Sequence, residues 1–188
     1  MDPQITLIVI GAVVAGFIQG LSGFGFSMVA MSFWAWSVDP KLAAVMAVFG
    51  GLTGQVMAAL TVTRKADWKR LLPFVAGGLG GFSGVIPTLW CTLRGYAKDD
   101  QRAIVQNFNL ATLATTMAAY VATGLVTRQT LPMLAIVGPA MLIPAWLGGR
   151  VYTGTSDIAF RRIVLGMLTL SGIAMLASSL PVIIRRLA

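Results

Sequence analysis

Gly16-Phe-Ile-Gln-Gly-Leu-Ser-Gly-Phe-Gly-Phe-Ser27 lies inside a long apolar region and places glycine at Gly16, Gly20, Gly23 and Gly25. Glycine weakens a helix interior by about 1 kcal/mol relative to alanine, so the stretch predicts an interrupted helix. In hydrocarbon, an interrupted backbone persists only where protein covers it or where it lines a watered cavity. Two readings follow. The break can expose backbone groups to a substrate, as in transporters built on discontinuous helices, or the glycines can form a seam for close helix packing. The stretch alone favours neither.

Composition sets the class around it. Of 188 residues, 57% are hydrophobic and 11% charged, and the mean hydropathy is +0.83. A water-soluble domain of this size does not bury enough of itself to carry that excess, so the chain reads as a polytopic membrane protein. Met1-Asp2-Pro3-Gln4 lacks the basic start of a cleavable leader, and the first apolar segment is expected to remain as a span. Histidine and glutamate are absent, which excludes a His-based metal site, a Ser-His-Asp triad and a Cys-His pair. The aspartates Asp2, Asp39, Asp67, Asp99, Asp100 and Asp157 fall at chain ends or between apolar segments. That leaves no paired buried carboxylates for acid–base catalysis and no intramembrane proton relay. The lone Cys91 rules out an internal disulfide and reads as a small buried side chain. No enzyme, cofactor or metal is expected. The net charge of +8 reads as topology signals and lipid-headgroup contacts rather than as a nucleic-acid surface.

The hydrophobic pieces number about seven. The first runs from about Ile5 to Gly20, and a shorter one leads to Trp36, with Trp34 and Trp36 suited to a membrane interface. Val38-Asp39-Pro40 is a turn, with Pro40 placed to open a helix. A third segment extends over about 41–63; Ala47, Gly50, Gly51, Gly54 and Ala58 share one small-residue face, with Gln55 at its margin. Arg64-Lys-Ala-Asp-Trp-Lys-Arg70 follows as a basic loop. The fourth region, Leu71 to Leu93, is broken by Pro73, a glycine run from Gly77 to Gly81, Gly84 and Pro87. It is either one irregular span or two half-helices that turn back. Arg94 to Arg102 reads as a mixed-charge loop. The fifth segment, about 103–124, carries Gln106, Asn109, Thr112 and Thr116 on one arc, more polar groups than helix packing needs, which points to a cavity lining. A sixth segment covers about 131–151 and contains Pro139 and Pro144, which should kink it. A last one covers about 163–184.

If the fourth region dips in and returns, the loops at 64–70, 94–102 and 150–162 share one side. That side then holds ten basic residues against four on the other, in keeping with the positive-inside rule.

An internal repeat connects the two broken segments. Offset by 58 positions, Gly20-Leu-Ser-Gly-Phe24 matches Gly78-Leu-Gly-Gly-Phe82 at four of five residues. Each copy leads through a tryptophan (Trp34, Trp90) to a turn with aspartate (Asp39, Asp99) and a helix entering with Ala43 and Val45 or Ala103 and Val105. Paired broken segments in two halves are the best sequence pointer to a transporter's binding site. The expected fold is all-α: a polytopic transmembrane helix bundle, two of its segments glycine-broken, forming a single membrane domain over 1–188 with repeat halves at about 1–70 and 71–188.

These features, with Asp39-Pro40-Lys-Leu-Ala-Ala, Gly80-Gly-Phe-Ser-Gly-Val-Ile-Pro-Thr-Leu-Trp-Cys91 and Gln106-Asn-Phe-Asn-Leu110, make the chain resemble the TauE/SafE sulfite-exporter family of multi-pass membrane transporters. The resemblance covers most of the chain. It implies a multi-pass protein of the plasma (inner) membrane that moves small anions such as sulfite, sulfonates or related organic acids. The chain departs from the family at Phe24 and Phe26, where many members continue a glycine run. It departs again between the halves, where Leu71-Leu-Pro-Phe-Val-Ala-Gly-Gly78 runs straight into the second motif as though a helix pair were missing. That marks a naturally shortened member or an internally deleted one.

The function expected is therefore a secondary, permease-type transporter for a small anion. Its alternative is a structural or accessory membrane subunit whose glycine faces only pack helices. The residues expected to meet the substrate are Gln19, Gly20, Ser22, Gly23, Gly25, Gly81, Ser83, Gly84, Gln106, Asn109 and Thr112. The partners expected are the anion and the lipid bilayer, not nucleic acid, and the sequence leaves room for a homo-oligomer.

Overall fold

The computed structural model describes residues 2–61, 85–156, 158–160, 162–163, 165–166, 169–170 and 173. Six helices are ordered along them: α1 (Pro3–Ser22), α2 (Phe26–Trp34), α3 (Pro40–Thr61), α4 (Val85–Leu93), α5 (Lys98–Ala122) and α6 (Leu131–Thr153). Helical turns follow at 158–160 and at intervals to 173. Among the described residues there is no strand, and α1, α3 and α6 are long and apolar enough to cross a membrane. The protein is an all-α membrane helix bundle. α5, at 25 residues, is long enough to cross as well, about 37 Å at 1.5 Å per residue, but its polar arc dilutes its hydropathy.

The ends of the helices follow from local chemistry. Asp2 accepts from the Gln4 N–H at 3.0 Å with Pro3 in the first turn, and Asp39 accepts from Lys41 and Leu42 N–H at 3.0 and 3.1 Å with Pro40 opening α3. α1 ends where Gly23 takes φ 81°, and Gly25 at φ 92° opens α2. These are left-handed conformations that residues with a Cβ adopt at a cost of about 1–2 kcal/mol.

The interruption is narrower than the sequence suggests. α1 runs unbroken through Gly16 and Gly20, and only residues 23–25 leave the helix. The reason is packing. A Cβ on Gly16 would sit 2.7 Å from the Met141 carbonyl oxygen, and one on Gly20 would collide with the Ala145 backbone; a Cβ on Gly148 would meet the Phe17 carbonyl and come within 2.8 Å of the Leu21 nitrogen. Contacts between these bare backbones offset the weak helix propensity of glycine, since helix association in lipid rests on close van der Waals packing. Residue numbers rise together along this seam, so α1 and α6 are parallel, and theirs is the most extensive helix contact among the described residues.

α2 turns back along α1. Its first amide, at Phe26, meets Gln19 near the end of α1, whereas Trp34 at its far end packs on Gly11 and donates to the Ile8 carbonyl at 3.3 Å. The opening stretch is thus the tip of a helical hairpin. Trp34 is fully buried at 0% exposure, which corrects its expected place at the membrane interface; Trp36, at 66%, is exposed. The ring fits there because Gly11 leaves it room and Phe26 meets it edge-on with ring centroids 6.0 Å apart.

The small-residue face of α3 lies where the sequence places it. Gly50 faces the Phe26 ring, Gly51 faces Leu113, and Gly54 faces Gln19. α3 and α5 are antiparallel: Gly51 lies beside Leu113, while Ala58 shares a cavity with Arg102 and Ala103. Thr61 and Lys98 therefore sit at the same end of the bundle, the end that also holds Arg150 and Thr153 of α6. This agrees with one-sided placement of the 94–102 and 150–162 loops; the 64–70 loop lies outside the described residues.

One segment boundary is corrected. The fifth segment starts at Lys98 rather than about 103, because Asp99 and Asp100 occupy its first turn, where acidic side chains favour the helix dipole. Arg102 is consequently helical and buried rather than part of a loop. The sixth segment is a single helix with Pro139 and Pro144 inside it. In the fourth region, Val85–Leu93 is helix α4 and packs on α5; residues 71–84 lie outside the described residues. Cys91 is buried, as expected.

Candidate functional site

A turn with non-helical backbone inside a bundle must have its polar groups met by side chains. Three long polar side chains do this at the hairpin tip. Gln19, 5% exposed, accepts from the Phe26 N–H through Oε1 at 3.1 Å and donates through Nε2 to the Gly51 carbonyl at 3.0 Å. It thereby caps α2 and ties α1 to α3. Gln55, 1% exposed, donates to the Gly23 carbonyl at 2.8 Å. Arg102 donates to the Gly20 and Leu21 carbonyls at 2.7 and 3.2 Å. It satisfies the carboxyl end of α1 with a cation, the sign that the helix dipole favours there.

Two cavities flank this tip, and Gln19 borders both. The larger, about 600 Å³, is bounded by Gly20, Gly23, Gln106 and Arg102, with Asp99 and Arg150 at the end of the bundle. The smaller, about 110 Å³, lies at the start of α2 and is bounded by Gly25, Ser27, Asn109 and Thr112, with Gly51 and Gln55 on α3. Gly25 contributes no capping side chain to α2. Ser27 and Met28, in the first turn of α2, border the smaller cavity, and first-turn amides of a helix have no partner within the helix.

Of the residues singled out in sequence, Gln19, Gly20, Gly23 and Gln106 border the larger cavity, and Gln19, Gly25, Asn109 and Thr112 the smaller. Ser22 borders neither. It is buried, its hydroxyl donates to the Ile18 carbonyl at 2.8 Å and to the Phe24 carbonyl, and it accepts from the Phe24 N–H at 3.3 Å. Its hydrogen bonding is spent on shaping the turn. Gly20 has a second role through its close contact with Ala145. Thr116, the last member of the polar arc, donates back to the Thr112 carbonyl at 2.9 Å and borders neither cavity. Gly81, Ser83 and Gly84 lie outside the described residues.

Sequence reasoning missed Arg102, Asp99 and Tyr152. The Tyr152 hydroxyl donates to Asp99 at 2.5 Å, and the Arg102 guanidinium lies 3.8 Å from the centre of the Tyr152 ring. The signal was present: acidic residues mark a helix start at Asp99, and a helix from there puts Arg102, Gln106 and Asn109 at i, i+4 and i+7 on one face.

The model of the family described as sulfite exporter TauE/SafE matches residues 8–86 and again residues 75–175. Neither a curated protein nor a solved structure matches the chain. The overlap of the two family matches falls at the junction that reads as shortened in the sequence. The chain belongs to the TauE/SafE sulfite-exporter family of membrane transporters, in a shortened form.

Proposed function

We propose that this protein is a secondary, permease-type transporter for a small anion, such as sulfite, a sulfonate or a related organic acid, in the plasma (inner) membrane. The observation that carries the proposal is the convergence of the hairpin tip, the start of α2 and the polar face of α5 on two adjoining cavities that share Gln19. The anion would take the amides of Ser27 and Met28 together with Asn109 and Thr112. These neutral donors and the positive end of a helix favour negative charge without a fixed carboxylate to oppose it. In this reading the halves at about 1–70 and 71–188 are repeats of inverted topology. α2 and α4 are nine residues each, and the helices that follow them, α3 and α5, run antiparallel. Gly81, Ser83 and Gly84 enter the proposal on their motif alone, as the second half's counterpart of the tip. Transport would proceed by rocking one half against the other.

The accessory-subunit reading draws on the seam at Gly16, Gly20 and Gly148, which packing explains in full. It leaves the two cavities without a role. A thermal-shift screen in detergent tests the two. Sulfite, sulfonates or carboxylates that raise the melting temperature support a binding site; a melting temperature indifferent to all of them supports the subunit.

A further inference from the structure

A helix that stops inside a membrane presents negative carbonyl ends, and in transporters with discontinuous helices such ends coordinate a coupling Na⁺ or H⁺. Here the carbonyls of Gly20 and Leu21 are taken by Arg102. Resting on the anion-transport reading above, we propose that Arg102 is a built-in counter-cation: it fills the position of a coupling ion at the hairpin tip, neutralises the negative end of α1 that would otherwise oppose the anion, and makes anion binding independent of sodium.

The geometry is specific to arginine. The guanidinium fork spans two successive carbonyls, at 2.7 and 3.2 Å, which a lysine point charge does not reproduce. Its plane is seated on the Tyr152 ring at 3.8 Å, while the Tyr152 hydroxyl engages the neighbouring Asp99. The side chain is 7% exposed and is the only charged one so buried among the described residues. Burial of an ion at such a depth carries a penalty of several kcal/mol unless the site compensates it, and here carbonyl dipoles and an aromatic face supply the compensation. Gly23 leaves the necessary space: a Cβ there would lie 3.1 Å from Arg102 Cγ and 3.0 Å from Gln106 Nε2. Gln106, 2% exposed, borders the same cavity as Arg102.

The electrostatic consequence follows by addition. Helix ends carry about half an elementary charge, negative at the end of α1 and positive at the start of α2. Three residues separate them, so to a nearby anion they nearly cancel. The full charge of Arg102 removes the negative end of α1 from that balance and leaves the positive start of α2 unopposed by it, while Asp99, held by the Tyr152 hydroxyl, borders the same larger cavity as Arg102.

The test uses the whole protein in nanodiscs, with sulfite and methanesulfonate as probes and calorimetric titration in sodium or choline buffers of equal ionic strength. Wild-type affinity is expected to agree between the two buffers within about twofold. Arg102→Ala is expected to weaken binding by about tenfold or more, with added methylguanidinium restoring much of it, and Arg102→Lys to fall between. Wild-type binding that strengthens about tenfold in sodium overturns the proposal, as does Arg102→Ala with wild-type affinity. The sodium comparison needs no variant, so it decides the matter even if Arg102→Ala does not fold. If the wild-type protein binds neither probe in either buffer, the transport reading itself fails, and this inference with it.

Discussion

Gly148 and Gly149 are neighbours on α6 with opposite expected responses to the same substitution. A Cβ on Gly148 would overlap the Phe17 carbonyl and lie 2.8 Å from the Leu21 nitrogen, whereas one on Gly149 would find its nearest atom, the Gly20 carbonyl oxygen, at 3.9 Å. Ordinary van der Waals contact begins at 3.4 Å. The Leu21 contact alone therefore forces α1 and α6 apart by roughly 0.6 Å, a gap that forfeits a quarter to a half of each contact's attraction. Backbone is the obstacle on both sides, so no rotamer change relieves it. Overpacking of this kind costs about 1–3 kcal/mol, and the loosened seam adds to that in a bundle held by close packing. Alanine recovers up to about 1 kcal/mol of helix propensity at either position. Net of that gain, Gly148→Ala should destabilise the protein by about 1 kcal/mol or more, while Gly149→Ala should be neutral or stabilising by up to about 1 kcal/mol. Reversible unfolding of both variants in the same detergent, followed by tryptophan fluorescence, measures the difference. Equal stability of the two would refute the parallel α1–α6 seam.

Gly23→Ala must hold φ 81° and crowd Gln106 and Arg102; it should lose about 1–3 kcal/mol in the same unfolding assay and bind sulfite more weakly in calorimetric titration. Gln55→Leu leaves the buried Gly23 carbonyl without the donor now at 2.8 Å, a loss of about 1–3 kcal/mol that unfolding would register. Trp34→Ala empties a fully buried site beside Gly11 and Phe26 and should destabilise by about 3–5 kcal/mol, whereas Trp36→Ala, at an exposed position, should stay within about 0.5 kcal/mol of wild type.

Much of this was legible from residue pattern. Hydropathy and the missing histidine and glutamate gave the class, Pro40 and Asp39 marked the start of α3, and the arc of Gln106, Asn109 and Thr112 marked a face that meets cavities. Periodicity reports which residues share a face, and that is a property of one helix. What escaped were properties of pairs of helices. Whether Gly16 and Gly20 break α1 or seat it depends on the backbone at Met141 and Ala145, more than 120 positions away. Trp34 looked interfacial because tryptophan usually is, and only the opening at Gly11 makes room for it. Arg102 reads as part of a loop in the sequence because the charges around it outweigh the helix-start signal at Asp99 and Asp100. The carbonyls that hold it, at Gly20 and Leu21, are 82 and 81 positions distant.

In the function proposed above, the hairpin tip and the polar face of α5 form a path for a small anion. Sulfite flux into proteoliposomes carrying the purified protein, with and without a pH gradient, tests it most directly when wild type and Asn109→Leu are compared at equal insertion. A saturable flux in wild type that Asn109→Leu abolishes is the predicted result. Flux that Asn109→Leu leaves unchanged, or no protein-dependent flux for any anion offered, would contradict it.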